Sequence, residues 1–185
     1  AMSSTLSMLI FMPLWGKFSD SYGNLKSLKI CGFIVPFVPI LWLFTPFILI
    51  NFPDLLMPFL ISAEIFSGFA WAGFNLSAGN FIYDAVTRQR MAICVSYFNI
   101  LNGIGIFLGA TFGGFITSLD FFFFGLTPIL FIFFLSSILR LIVSLIMISK
   151  LKEVRHVKNF GIKEAKETLS ALIPEHALHH LRLRT

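Results

Sequence analysis

Apolar residues run almost unbroken through this chain, and its charges fall at intervals. Ile30 to Pro53 carries no charge. Leu55 to Tyr83 is interrupted only by Glu64, Met91 to Leu119 by nothing, and Phe121 to Ser149 only by Arg140. A helix needs about 20 consecutive apolar residues to cross a bilayer. Each of these runs is long enough, and together they predict spans at 28–50, 55–82, 91–117 and 126–149. A further apolar run, Ser3 to Trp15, is too short to cross. It reads as a partial span, the last turns of a helix that begins before the sequence does. Pro36 and Pro39 predict a kink in the first full span, which membrane helices tolerate when neighbours satisfy the freed backbone groups.

The fold class that follows is all-α: a polytopic transmembrane helix bundle of about five spans, occupying residues 1–150. With 57% hydrophobic and only 12% charged residues, the chain has too little polar surface for a soluble domain of its length. The net charge of +5 does not point to nucleic acid, because eight of the fourteen Lys and Arg lie in the last 36 residues and most others flank apolar runs. The expected partner is the lipid bilayer. Cys31 and Cys94 each sit in an apolar stretch, so no disulfide framework is expected. The N-terminus has neither the basic region nor the cleavage site of a signal peptide.

The connections give an orientation. Gly16–Lys29 carries Lys17, Lys26 and Lys29, Asp84–Arg90 carries Arg88 and Arg90, and the tail after Ser149 is basic. The alternate connections, Thr45–Asp54 and Thr117–Pro128, hold no Lys or Arg. Positive charge collects on the cytoplasmic side. The expectation is an integral protein of the plasma or inner membrane with its C-terminus cytoplasmic. Residues 151–185 form a basic cytoplasmic tail. Ile162, Ala165, Leu169, Leu172 and Ile173 recur in it at helical spacing, which suggests an amphipathic helix on the inner leaflet. His176, His179 and His180 lie nearby without a set of further ligands, and no metal site is expected.

Glu64 is the sharpest candidate for chemistry, because a carboxylate inside a span must be paired, protonated or in contact with water. Glu64, Ser67, Gly68, Trp71, Asn75 and Ala78 fall on one helix face and read as a cavity-lining stripe, with Glu64, Trp71 and Asn75 as substrate or proton residues. Arg140 lies about thirteen residues into its run and Glu64 about nine into its own, a depth difference of about 6 Å at the helical rise. That spacing makes an intramembrane Glu64–Arg140 ion pair an expectation. Gly105, Gly109 and Gly113 recur every four residues, with Gly114 adjacent, a spacing that lets helices pack closely. No metal-protease motif and no phosphate-binding loop occurs, so the chain is not expected to be an enzyme.

Between the first two apolar runs, Gly16-x-x-x-Asp20-x-x-Gly23 followed by Lys26 reads as a tight charged loop. It resembles the signature loop of the major facilitator superfamily of transporters, with Ser21 and Asn24 at two usually basic positions. Gly109-Ala110-Thr111-Phe112-Gly113-Gly114 is similar to that family's Gly-Pro-x-x-Gly-Gly motif, with Ala110 in place of Pro. The resemblance covers roughly Met2 to Lys150 and implies a partial major-facilitator-like half, its helices corresponding to the eighth through twelfth. It further implies secondary active transport of a small solute by alternating access. Gly16, Asp20, Gly23 and Lys26 would form a cytoplasmic gating loop, and H+ or another ion would be coupled without any cofactor. Five spans cannot enclose a cavity between two halves. The sequence is therefore expected to be a fragment, or to assemble with a missing N-terminal half or a partner chain. The alternative is a non-transporting membrane subunit that packs on a partner through the Gly105–Gly113 face.

Overall fold

The computed structural model describes residues 2–119 and 125–153. The helices in chain order are α1 (Met2–Tyr22), α2 (Asn24–Ile34), α3 (Phe37–Leu43), α4 (Thr45–Asn51), α5 (Leu56–Ala85), α6 (Met91–Thr117) and α7 (Pro128–Lys150), and no strand occurs among the described residues. Among the described residues four segments are long and apolar enough to cross a membrane: Asn24–Asn51, Pro53–Ala85, Met91–Thr117 and Pro128–Met147. The chain is thus an all-α polytopic bundle. The amphipathic helix expected in the tail, and the histidines there, lie outside the described residues.

α1 runs further than the apolar run that predicted it. Its 21 residues continue through the polar stretch Gly16–Tyr22, so the expected loop is not a loop. Gly16 and Asp20 are helical, Lys26 belongs to α2, and Gly23 alone stands between the two helices. The cause is packing: Ser7, Trp15, Ser19 and Tyr22 lie on one face and are buried, which holds the polar stretch helical. The turn then falls where the backbone takes φ 96 and ψ 149, a region open in practice only to glycine.

The span Asn24–Asn51 is broken into three helices. Val35 and Pro36 separate α2 from α3, and Phe44 separates α3 from α4, whose first turn holds Pro46. A proline at position 36 leaves the carbonyl four residues earlier, Gly32, without its helical donor. Ser144 of α7 donates its hydroxyl to that carbonyl, and Ser137 donates to the carbonyl of Pro36 at 2.7 Å. The first bond repairs the break, and the two together fix the register of α7 against the broken span.

α5 is the centre of the bundle. Among the described helices its contact with α1 is the most extensive, followed by its contact with α2. The core between them is built from small and aromatic residues. Trp15, Cys31 and Ala72 are buried together, with Phe11 and Phe69 packed edge to face at 5.1 Å beside them. The Trp15 indole donates to the Phe69 carbonyl at 3.0 Å. Ser19, Ser27 and Ser77 join one helix each from α1, α2 and α5 through hydroxyl contacts at 2.8 and 3.3 Å. In lipid, short polar side chains and close backbones replace bulky apolar contacts as the cement between helices.

α6 stands apart. It touches α5 and α7, yet none of its residues is buried. A Cβ added at Gly105, Gly109, Gly113 or Gly114 would meet nothing within 4 Å. The expected helix packing at these glycines is therefore not made among the described residues.

Candidate functional site

The stripe read from α5 divides between two neighbours and an exposed side. Gly68 presses on α1, where an added Cβ would stand 2.6 Å from the Cβ of Ser7 and against the carbonyl of Ser4. Ser7 donates to the Ile65 carbonyl at 2.7 Å across the same contact. Glu64, one turn before Gly68, hydrogen-bonds with Ser4. Trp71 and Ala78 instead face α7, while Asn75 is exposed and Ser67 is half-buried. The structure therefore does not gather Glu64, Trp71 and Asn75 into one pocket.

The expected Glu64–Arg140 ion pair is not formed. The Arg140 guanidinium sits over Trp71, 5.4 Å from the ring centroid, whereas Glu64 is held by Ser4. Glu64 and Trp71 are seven residues apart on α5, or about 10 Å along its axis. The sequence estimate assumed that both runs begin at equal depth. The Ser144 bond to α2 and the Ser137 bond to Pro36 set α7 in a different register and bring Arg140 level with Trp71.

Around Arg140 lies a cleft of about 430 Å³ between α2, α5, α6 and α7. Val35, Pro36, Trp71, Phe74 and Phe98 make much of its wall, and Arg140 and Lys29 are its two charged residues. Trp71 and Phe74 meet edge to face at 5.6 Å, which sets the indole plane beneath the guanidinium. Sequence reading singled out Trp71 and Arg140 but did not bring them together. It missed Lys29 as a cleft residue, because its place there depends on the packing of three helices.

The α1–α2 corner is tied to two distant parts of the chain. The Asn24 amide donates to an Asp84 carboxylate oxygen at 2.6 Å, and the Leu25 backbone N–H donates to Glu153 at 3.2 Å. Two carboxylates, one at the end of α5 and one after α7, thus reach the first turn of α2, where the helix dipole favours negative charge. Asp20 is exposed in the last turn of α1, and Lys26 is half-buried in the first turn of α2. None of Asn24, Asp84 and Glu153 was singled out as a partner, although carboxylates at helix ends are the signal that could have marked them.

A bundle of membrane-crossing helices with a carboxylate and a guanidinium inside its spans defines an integral membrane protein with charged sites in its interior. The family model of the major facilitator superfamily matches residues 1–183. The chain belongs to the major facilitator superfamily, a family of transporters and not of enzymes. No curated protein and no solved structure matches it.

Proposed function

We propose that this chain takes part in secondary active transport of a small solute by alternating access, with Glu64 as the residue that couples a proton or another ion. The observation that carries this reading is a carboxylate in the interior of the 30-residue α5, at its contact with α1, in a chain of a transporter family. An intramembrane carboxylate is costly unless it is paired or used, which makes Glu64 the first candidate for function. Glu64 and Asn75 are eleven residues apart, three helical turns, so they lie on nearly the same side of α5. The solute would pass along that side, with Asn75 as an exposed polar contact and Trp71 at its edge. A bundle from a first half or a partner chain would close the cavity. Asp20, exposed at the end of α1, would latch onto it at the inner gate, with Gly16, Gly23 and Lys26 shaping the corner.

The test is ion-coupled uptake. The protein is reconstituted into vesicles with an entrapped pH-sensitive dye and offered a panel of sugars, amino acids and organic anions. One class is expected to drive a change in lumenal pH. Glu64→Gln should lower the coupled flux at least about tenfold, because the carboxylate's proton site is gone, while the amount of protein in the membrane is unchanged. Flux that persists undiminished in Glu64→Gln would remove Glu64 from the coupling role. A variant with equal assembly and no wild-type flux to lose would favour a packing subunit.

A further inference from the structure

Arg140 is placed where a cation needs a reason to be. It stands twelve residues after Pro128 and ten before Lys150, about 18 and 15 Å from the ends of α7, and so near mid-depth in a bilayer core about 30 Å thick. A guanidinium carries five N–H donors and stays charged. Among the described residues no carboxylate pairs with it and no oxygen accepts from it, and its guanidinium lies over the face of Trp71. Charged side chains at this depth face a partner, a cavity or a ligand. Arg140 faces the cleft.

The cleft has the character of a site for an amphiphile. Its volume of about 430 Å³ falls within the roughly 300–1,000 Å³ of small-molecule sites. It is too small for the two acyl chains and headgroup of a phospholipid. Phe98, Leu139, Val143 and Met147 line it and are exposed, so it opens sideways between α6 and α7 onto the hydrocarbon. Lys29 lies toward the end of the bundle that carries Arg88, Arg90 and Lys150. The Ser144–Gly32 bond sets those two residues level, which puts Lys29 about 10 Å from Arg140 along the axis. One half-buried cation thus stands in the wall at mid-depth, and a second, also half-buried, lies nearer the charged end of the bundle.

We propose that this cleft binds a single-chain amphipathic carboxylate, with its carboxylate bidentate on the Arg140 guanidinium and its tail along the apolar wall. A planar guanidinium matches a carboxylate in two parallel hydrogen bonds. The Trp71 ring holds the guanidinium from behind and leaves its N–H edge available. A carboxylic acid reaches mid-depth more easily than a phosphodiester, because it can shed its charge by taking a proton. The site lies toward α7, away from the Glu64 contact with α1, and the proposal does not depend on whether the chain moves a solute.

The test is binding of radiolabelled decanoate to the full chain in nanodiscs of phosphatidylcholine, read by scintillation proximity against empty discs. Saturable binding is expected, displaced by unlabelled decanoate and not by methyl decanoate. Arg140→Gln should weaken it at least about tenfold, and Arg140→Lys, which keeps the charge but loses the fork, should weaken it less. If Arg140→Gln does not fold, Val143→Phe gives the same reading, because its larger ring fills the cleft from the exposed face of α7. Counts equal to empty discs, equal displacement by the methyl ester, or binding unchanged in both Arg140→Gln and Val143→Phe would overturn the proposal. So would loss of decanoate binding when one fifth of the lipid is phosphatidylglycerol, which would make a phospholipid the occupant.

Discussion

Gly73 and Gly79 stand six residues apart on α5 in opposite surroundings. A Cβ at Gly73 would come within 2.5 Å of the Trp15 ring and against the Cys31 sulfur, while a Cβ at Gly79 would meet nothing within 4 Å. Trp15 cannot swing aside, because its indole is tied to the Phe69 carbonyl and its ring is packed on Phe69 at 5.2 Å. Gly73→Ala is therefore expected to lower stability by about 1–3 kcal/mol through overpacking. Gly79→Ala should be neutral or gain up to about 1 kcal/mol from better helix propensity. Unfolding by SDS titration in mixed micelles measures both, and equal effects would mean that α1, α2 and α5 do not meet as described. The sequence marks both glycines alike, since nothing local separates them. The same holds for Ser19, Ser27 and Ser77, which a hydropathy pattern counts as interruptions and which the bundle uses as its polar core. Glu64 and Arg140 were legible as charges in apolar runs. Their partners were not, because partners depend on the register between helices.

At the scale of the element, the broken span Asn24–Asn51 and α7 depend on each other. Pro36 removes the donor that Gly32 would have used, and the Ser144 hydroxyl supplies another. Ser144→Ala should destabilise the protein by about 0.6 kcal/mol, the average for interhelical hydrogen bonds in membranes, and by no more than about 1.7 kcal/mol. In a Pro36→Ala background the restored N–H can serve Gly32, and the penalty of Ser144→Ala should fall toward zero. A double-mutant cycle reads this coupling directly, and additive losses would show that Ser144 acts elsewhere. The prolines announced a kink in the sequence. The repair could not be read there, because it comes from a helix about a hundred residues away. The extension of α1 through Gly16–Tyr22 was missed for a related reason: Trp15, Ser19 and Tyr22 share one face, but the charges of Lys17 and Asp20 between them read as a loop.

For the whole molecule, four crossing segments were legible from hydropathy alone, since the bilayer imposes their length. The placement of α6 was not, because its glycine stripe carries the pattern of a packed face while packing on nothing described. α5, with 30 residues and so about 45 Å long, exceeds a hydrocarbon core of about 30 Å, and must tilt or project beyond it. Arg88 and Arg90 lie just past its C-terminal end. Under the orientation proposed from the positive charges, that end faces the cytoplasm. Thr87 is exposed in this connection. In a Cys94→Ser background, with Cys31 buried, Thr87→Cys should react with a membrane-impermeant maleimide only after the cells are permeabilised. Labelling of intact cells would invert the topology.

The corner at Gly23 has a mechanical consequence. Two helices joined by one residue, with Tyr22 and Asn24 buried on either side of it, have no slack between them. A rotation of α1 is expected to carry α2 with it, and through Asn24 and Leu25 the C-terminal end of α5 and the segment after α7. Bending is left to the breaks at Val35 and Pro36 and at Phe44, and to the connection 86–90, which leads to the exposed α6.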